Sequence, residues 1–198
     1  MRVLIATHNP DKISEIEKIF RDSIGEDIEF VKGIDPGDVV EDGDTLEENA
    51  MIKANAWLDI NQDCIVVSDD TGFFVDALNG EPGINAAIYA GDHASYTDNV
   101  DKVMRELGDN KNRKAHFTTC AIAVMAGSAS IVANGTIEGL IAKTIHDGGK
   151  FGYDPIFIPS DDEDGQTFSD LGVNVKNMIS HRAKAFRALA IGIKNAGW

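Results

Sequence analysis

The sequence has few cysteines, few prolines and no long apolar segment. Its 198 residues include 2 cysteines and 5 prolines. Cys64 and Cys120 stand alone within apolar stretches, without the spacing of metal ligands, so we expect both to be small buried hydrophobes rather than a disulfide or a catalytic thiol. No run approaches the roughly 18 apolar residues that a membrane-spanning helix requires. The N-terminal segment also lacks the pattern of a secretory signal, and we expect a cytoplasmic protein.

Positive charge is scarce as well. Eighteen lysines and arginines stand against 33 aspartates and glutamates, which gives a net charge of -15. The resulting field opposes association with nucleic acid or an anionic membrane, and we expect neither as a partner. A small phosphorylated ligand stays possible, because a few local cations and a metal ion can hold one. The length fits one domain over residues 1–198.

Strand-like and helix-like apolar patterns alternate along the chain. Arg2 to Ala6 and Cys64 to Val67 are short apolar runs typical of buried strands. Helices are predicted from Pro10, and from Thr45, which can form a capping-box pair with Glu48. A third helix, a hairpin of two long strands and a last helix follow at Val100 to Leu107, Lys114 to Met125 with Ser130 to Lys143, and Phe186 to Ile193. The pattern predicts an α/β fold with a mixed sheet.

Four segments carry side chains suited to a phosphorylated ligand. The first, Thr7 to Lys12, lies between a predicted strand and a helix. Such a loop can offer free backbone N–H groups and the positive end of the helix dipole, and Lys12 adds a point charge. An ordinary capped helix start with a surface lysine explains the same residues.

The second segment is Asp69-Asp70, at the end of the predicted strand Cys64 to Val67. Adjacent residues in extended chain point to opposite sides, so we expect the two carboxylates to do different jobs. Magnesium is usually held by one or two carboxylates together with substrate phosphates and water, and Glu41 to Asp44 could supply a second ligand. Turn capping by the two aspartates and a solvated acidic stretch are the alternative.

The third and fourth segments combine aromatic rings with cations. In Gly149 to Pro155, Phe151 or Tyr153 could stack on a flat ligand, although aromatics beside glycine also pack at ordinary bends. In Ser180-His181-Arg182, with Lys176 upstream, the cations select acceptors such as phosphate oxygens or a ring carbonyl. His181 could equally be a plain residue at a helix start.

Taken in order along the chain, these segments resemble the inosine triphosphate pyrophosphatase family. The resemblance runs from residue 2 to about residue 190. Its motifs are Thr7-His8-Asn9-Pro10-Asp11-Lys12, Glu41, Ser68-Asp69-Asp70-Thr71-Gly72, Asn79-Gly80-Glu81-Pro82-Gly83, Phe151-Gly152-Tyr153-Asp154-Pro155-Ile156-Phe157 and Ser180-His181-Arg182-Ala183-Lys184-Ala185.

The resemblance implies an elongated, two-lobed α/β fold around a mixed sheet flanked by helices. It places the nucleotide in the cleft between the lobes and implies a homodimer. It also implies hydrolysis of non-canonical purine nucleoside triphosphates, ITP, dITP and XTP, to the monophosphate and pyrophosphate with Mg²⁺. A nucleotide-binding module without turnover, and a pyrophosphatase for other modified triphosphates, are the alternatives.

Carried over by position, the resemblance assigns roles to individual residues. Asp70 would accept a proton and Lys12 would stabilise charge on pyrophosphate, while Glu41 and Asp70 would bind the metal. The substrate contacts would be Thr7, His8, Asn9, Pro10, Asp11, Lys12, Thr71, Phe151, Gly152, Tyr153, Asp154, Lys176, His181 and Arg182.

Four positions depart from the family pattern. Asp11 replaces a common glycine beside the expected phosphates, and Ile88 replaces a usual arginine. The first departure could weaken phosphate binding or add a metal contact. Thr71 replaces the usual serine and keeps its hydroxyl, and Ala183 replaces a glycine, which should cost a helix nothing. Selection of the base can be argued for Arg182, since a donor facing the C6 carbonyl of hypoxanthine would oppose the amino group of adenine.

Overall fold

The computed structural model describes residues 1–146, 151–160, 162 and 164–198, which contain seven strands and five α-helices. None of the helices in these ranges is both long and apolar enough to cross a membrane. The strands are β1 (Arg2–Ile5), β2 (Glu29–Phe30), β3 (Ile65–Val75), β4 (Pro82–Gly83), β5 (Lys114–Val124), β6 (Ile131–Ile141) and β7 (Phe157–Pro159). The helices are α1 (Pro10–Ile24), α2 (Leu46–Leu58), α3 (Tyr96–Leu107), α4 (Phe168–Ile179) and α5 (His181–Ala196).

The strands form one mixed sheet in the order β2-β1-β3-β5-β6-β7, with β4 paired to β3. β1 runs parallel to both β2 and β3, with Val3 opposite Phe30 on one side and Ile65 on the other. β4 pairs with β3, and β7 with β6, in the antiparallel sense. The α/β fold with a mixed sheet flanked by helices is therefore confirmed.

Backbone contacts divide the chain into two compact units. Unit 1 comprises Met1–Asp70, Thr119–Gly135 and His181–Trp198, and unit 2 comprises Thr71–Thr118 and Thr136–Ser180. The boundaries fall inside β3, β5 and β6, so each of these strands contributes to both units. The assignment of residues 1–198 to a single functional domain stays a prediction.

In unit 1, successive residues of β3 enter different apolar clusters. Ile65 and Val67 pack with the buried faces of α1 and α5, whereas Val66 packs with α2. This is the period of two that a pleated strand imposes on its side chains. Consequently, in the part of β3 that belongs to unit 1, the odd-numbered residues face α1 and α5, and the even-numbered residues face α2.

In unit 2, the core is built on aromatic rings. Phe73 stacks on Phe117 and on Tyr153, with ring centroids 4.4 Å and 4.5 Å apart, and Phe157 meets Phe117 edge-on at 4.8 Å. Such pairs contribute roughly 0.5–1.5 kcal/mol each beyond the area they bury.

The two cysteines are free and buried, as predicted. Cys64 and Cys120 both belong to the apolar cluster on the α2 side of unit 1. Burial raises the pKa of the Cys120 thiol to about 11, which keeps it protonated and inert at neutral pH.

The predicted break after Val67 is wrong, because β3 continues without interruption to Val75. The polar residues in the middle of the strand have partners and need no turn: the hydroxyl of Ser68, for example, donates to the Ala50 carbonyl at 2.7 Å. Gly72 leaves room for the ring of Phe74, whose Cε2 would lie 2.5 Å from a Cβ at position 72. The strand thus carries its acidic residues within its length rather than beyond its end.

The capping of α2 is partly as predicted. The Thr45 side chain accepts a hydrogen bond from the Glu48 amide at 3.1 Å. The Glu48 carboxylate, however, accepts from the amide of Asp44 at 2.8 Å instead of that of Thr45. The bond from Glu48 is therefore made one residue earlier than in a standard capping box, and it ties the preceding loop to the helix.

Helix α4 has no counterpart among the sequence predictions. It carries a full capping box, in which Thr167 accepts from the Asp170 amide and Asp170 accepts from the Thr167 amide at 2.8 Å. Gly172, with φ 73°, interrupts the helix, and Val173 is exposed, so the apolar period is broken. The Thr-x-x-Asp pattern was the available signal.

Gly135 permits β6 to lie against the first turn of α5 in unit 1. A Cβ at this position would stand 2.2 Å from the His181 carbonyl oxygen and 2.5 Å from the Ala185 amide nitrogen. Because both atoms are backbone, Gly135→Ala should lower the free energy of unfolding by about 3 kcal/mol, measured by urea denaturation. Gly192→Ala on the same helix is the control, since its Cβ would meet only the Ile131 side chain. Equal, small effects of the two substitutions would contradict this account.

Candidate active site

The first loop of unit 1 is a capped helix start. The Asn9 side chain accepts from the amides of Asp11 at 3.0 Å and Lys12 at 3.4 Å, and Thr7 Oγ1 accepts from the Asn9 amide at 3.2 Å. Pro10 occupies the first helical position, where its missing N–H costs nothing. The expectation of free backbone N–H groups in this loop is therefore wrong for Asp11 and Lys12, whose amides Asn9 satisfies. The positive charge of the loop comes from the Lys12 side chain.

Lys12 reaches β3 and joins a buried network of charges. Its Nζ lies 3.2 Å from Asp69 Oδ1, and Arg182 Nε lies 3.4 Å from Asp69 Oδ2. Arg182 Nη1 also donates to Glu15 Oε2 at 2.7 Å. Asp69 and Arg182 are each only 2% exposed. Helices α1 and α5 thus bring two cations onto one carboxylate of β3, on the odd-numbered face of the strand.

The pKa values of both Asp69 and Lys12 are lowered in this network, but the causes differ. Burial disfavours the ionised form of Asp69, but the neighbouring Lys12, Arg182 and Lys53 overcome it, and the pKa of Asp69 lies well below its usual range. Burial lowers the pKa of Lys12, and the attraction of Asp69 opposes this while Arg182 and Lys53 add to it. Asp69 is therefore a fixed anion that holds the cations in place.

Asp70 lies on the other face of β3, beside α2. The Asn49 side chain donates to Asp70 Oδ2 at 3.5 Å, and Asn49 Oδ1 accepts from the Gly43 amide at 2.8 Å. The Gly43 bond fixes the orientation of the amide, so its NH₂ group faces Asp70. The sequence prediction that the two adjacent carboxylates point to opposite sides is confirmed by these different partners.

Lys53 is a residue of this cluster that the sequence analysis missed. Its Nζ lies 2.7 Å from Glu41 Oε2 and donates to the backbone carbonyl of Asp69 at 3.0 Å. On α2 it follows Asn49 by four residues, so both side chains leave the same face of the helix. That spacing, on a helix already predicted from Thr45, was the signal that could have found it.

Asp70 and Glu41 repel each other across the cluster. Burial raises the pKa of Asp70, Lys53 and Lys12 lower it, and the negative charges of Asp69 and Glu41 raise it again, with a net upward shift. Asp70 is thus a partly buried carboxylate with too little positive charge around it. This is an environment in which a cation is stabilised and in which a carboxylate is suited to accept a proton.

The donor set fits magnesium. Among the residues that the structure describes, no three His, Cys, Asp or Glu side chains form a group able to hold a metal ion. Magnesium does not need such a group, because it usually binds one or two carboxylates together with substrate phosphates and water. Glu41 and Asp70 are two such carboxylates, their negative charge is only partly balanced by nearby cations, and they offer oxygen ligands only.

His8 contacts Asp35 and Trp57. Its Nε2 lies 2.9 Å from Asp35 Oδ2, and its ring lies 5.6 Å from that of Trp57. His8 and Trp57 border a cavity of about 420 Å³ whose wall also includes Phe30 and Lys32. His8 is thus placed at the wall of this cavity and pairs with Asp35.

The predicted residues of unit 2 form a second group around a buried ion pair. Lys176 Nζ lies 2.6 Å from Asp154 Oδ2 and 4.4 Å from the centre of the Phe151 ring. Tyr153 is 5% exposed, and its hydroxyl donates to the Ala86 carbonyl at 2.7 Å. Phe151, by contrast, is only partly buried.

The remaining predicted positions are placed as follows. Thr71 follows Asp70 on β3 and is partly exposed, and Gly152 adopts φ 55°. His181, the first residue of α5, is 3% exposed. Gly149 and Lys150 of the third segment lie outside the described residues.

Known proteins are similar to the chain over nearly its whole length. Residues 3–191 match the Ham1 family. The dITP/XTP pyrophosphatases of Caldanaerobacter subterraneus subsp. tengcongensis and Thermoanaerobacter sp. (strain X514) are 41% and 43% identical to it, each over 96% of this chain and 94% of the relative. The structure of the Staphylococcus aureus Ham1 protein superposes with a TM-score of 0.83 at 34% identity, covering 99% of this chain and 100% of that one.

A second structural relative has a named activity. The dITP/XTP pyrophosphatase of Mycobacterium abscessus superposes with a TM-score of 0.73 at 32% identity, covering 96% of this chain and 97% of that one. Sequence match, curated relatives and structures agree with the resemblance drawn from the motifs. The chain belongs to the Ham1 family.

Proposed function

We propose that this chain hydrolyses the non-canonical purine nucleoside triphosphates dITP, XTP and ITP to the monophosphate and pyrophosphate. Its relatives, at about 40% identity over most of the chain, are named dITP/XTP pyrophosphatases. The observation that carries the proposal is the cluster in unit 1, where Asp70, raised in pKa, stands with Glu41 near the cations Lys12 and Lys53.

Asp70 is the proposed general base. Hydrolysis adds water to the α-phosphorus, breaks the bond from that phosphorus to the bridging oxygen of the β-phosphate, and releases one proton from the water. A carboxylate of raised pKa is a better acceptor for that proton than an ordinary one. The donated bond from Asn49 holds one oxygen of Asp70 and leaves the other for the water.

Lys12 is the proposed electrostatic partner of the leaving group. Asp69 holds its ammonium at 3.2 Å, so the cation is positioned before any ligand arrives. A preorganised charge stabilises negative charge that develops on pyrophosphate without reorganisation at the moment of reaction.

Magnesium is the proposed metal, held by Glu41 and Asp70. When bound, it supplies Lewis acidity and orients the phosphate oxygens. The proposed contacts of Thr7, His8, Asn9, Pro10, Asp11 and Thr71 with the triphosphate, and of Phe151, Gly152, Tyr153, Asp154, Lys176, His181 and Arg182 with the nucleoside, follow the family resemblance.

Arg182 supports a preference for bases with a C6 carbonyl. Glu15 and Asp69 both hold its guanidinium, so donation to a ring carbonyl would require little further ordering of the side chain. Adenine offers an amino donor at the same position, and the unpaired buried donors would cost roughly 1–3 kcal/mol each.

The test is a substrate panel. The purified protein is incubated with dITP, XTP, ITP, GTP, ATP and modified pyrimidine triphosphates, with Mg²⁺ and with EDTA, and pyrophosphate and orthophosphate are assayed separately. We expect Mg²⁺-dependent release of pyrophosphate from the first three, and at least about tenfold lower kcat/KM for ATP. Binding of dITP without release of either product would instead support a nucleotide-binding module. Release from modified pyrimidine triphosphates in preference to dITP would change the substrate class.

A homodimer and a cytoplasmic location stay predictions, the first from the family resemblance and the second from the sequence. Light scattering during gel filtration measures the first, and cell fractionation the second. A monomer at the concentration of the activity assay would separate catalysis from dimerisation.

A further inference from the structure

Lys53 binds the residue that the proposed metal needs. Its Nζ lies 2.7 Å from Glu41 Oε2, and its side chain is 13% exposed. The Asp69 carbonyl accepts from the same ammonium at 3.0 Å, which fixes the cation between α2 and β3. The ammonium therefore occupies a held position inside the cluster, unlike the mobile lysines of a protein surface.

Glu41 itself lies in a segment without helix or strand, between β2 and α2. This segment is tied at one end by Asn61, which bonds both the amide and the carbonyl of Ile34, and at the other by the Gly43 amide on Asn49. Between these two ties, the salt bridge to Lys53 is the contact that the structure gives for the Glu41 carboxylate. Lys53 thus positions Glu41.

The charges in the cluster make Lys53 a competitor for a metal. Its ammonium binds one proposed ligand, Glu41, and donates to the backbone carbonyl of Asp69, the neighbour of the other proposed ligand, Asp70. A divalent ion bound by Glu41 would share this carboxylate with the ammonium of Lys53, and the two cations would repel each other. The carboxylate oxygen that accepts from Lys53 cannot give its full charge to both cations.

We propose that Lys53 acts as an internal cation, which holds Glu41 in the metal-free protein and is displaced when the metal binds. This rests on the proposed function only in taking Glu41 and Asp70 as the metal ligands. Lys53 thereby keeps the carboxylate pair partly neutralised and lowers the affinity of the protein for the metal alone. It is a positioning residue for the metal site.

The test measures metal binding without nucleotide. Mn²⁺ is titrated into the wild type and the Lys53→Met variant, and free Mn²⁺ is followed by electron paramagnetic resonance. Lys53→Met should bind Mn²⁺ about tenfold more tightly, which corresponds to about 1.4 kcal/mol. Lys53→Arg keeps the charge, and Lys194→Met removes an exposed lysine of α5 in the same unit, so both should stay within about twofold of wild type. Unchanged or weaker binding by Lys53→Met, including no binding by either protein, would overturn the proposal.

A second measurement uses the wild type alone and does not depend on the folding of a variant. Labelling of Lys53 by an amine-reactive reagent, quantified by mass spectrometry, should rise several-fold when Mn²⁺ is added, with Lys194 as the internal reference. Constant labelling in Mn²⁺-saturated protein would contradict displacement. Since neither experiment contains a nucleotide, failure of the substrate panel with tight Mn²⁺ binding would count against the proposed function and leave the role of Lys53 standing.

Discussion

Asp70→Asn is expected to lower kcat for dITP by about a thousandfold or more, while leaving the fold as stable as in the wild type. Loss of a general base costs about 10²–10⁴ in rate, and this variant also removes one of the two proposed metal ligands. The amide keeps the size of the side chain and an oxygen that can accept from Asn49, whose contact is 3.5 Å in the wild type. Catalysis and structure should therefore separate at this position.

The stability of the variant follows from the direction in which the pKa of Asp70 is shifted in the folded protein. Its pKa is raised in the folded protein, chiefly by burial, so the fold binds that proton more tightly than the unfolded chain does. Ionised Asp70 consequently costs stability at neutral pH, and the cost disappears as the pH falls below the folded pKa. Asp70→Asn removes the charge at every pH, and its free energy of unfolding at pH 7 should equal or exceed that of wild type.

Two measurements check this prediction on the same preparation: initial rates of pyrophosphate release, and urea denaturation followed by circular dichroism. Activity within about tenfold of wild type would exclude Asp70 as the base. A clear loss of stability would mean that the carboxylate is a structural group and that the rate effect is indirect.

Asp69→Asn, unlike Asp70→Asn, should destabilise the fold, by about 3–5 kcal/mol. Removal of this charge leaves Lys12 and Arg182 buried, with much of their compensation lost. The loss of stability comes from leaving Lys12 without this anion and Arg182 with Glu15 alone in a largely buried site, and it is not the net value of the ion pairs. The comparison with Asp70→Asn is closely matched, since the same chemical change is made one residue away on the same strand.

The pH dependence of unfolding tests the same contact in the wild type. The pKa of Asp69 is depressed in the folded state, because the surrounding cations outweigh its burial. The stability that it provides is therefore present above the ordinary carboxyl value of about 3.9 and is lost as the pH falls from there toward the lower folded value. Asp69→Asn should lose this component, whereas Asp63→Asn, at an exposed pair with Arg2, should change the unfolding curve very little. Equal stability of the Asp63 and Asp69 variants would contradict the proposed anchoring role.

The sequence predicted those parts of the fold that depend on local chemistry. The first helix follows from Pro10 and the apolar period after it, and the second from the capping side chain of Thr45. The opposite orientations of Asp69 and Asp70 follow from the period of an extended chain alone. Each of these features depends only on residues that are close together in the sequence.

The remaining features depend on contacts between distant segments. Nothing local distinguishes Lys53 from any other helix lysine, and its role appears only when Glu41 and the Asp69 carbonyl are brought to it. Glu15 is likewise an ordinary helix glutamate until Arg182, 167 positions later, pairs with it. The same reason explains the missed continuity of β3, whose polar middle looks like a turn unless its partners on α2 are known.

The alternation of side chains along β3 also makes the site sensitive to the register of the strand. Its odd positions deliver Asp69 to the cations of α1 and α5, and its even positions deliver Asp70 to α2. A single-residue deletion between Ile65 and Val67 would exchange these two destinations, placing Asp69 beside α2 and Asp70 among the cations. We therefore expect natural variation along this strand to proceed by substitution, with insertions and deletions confined to the loops around it.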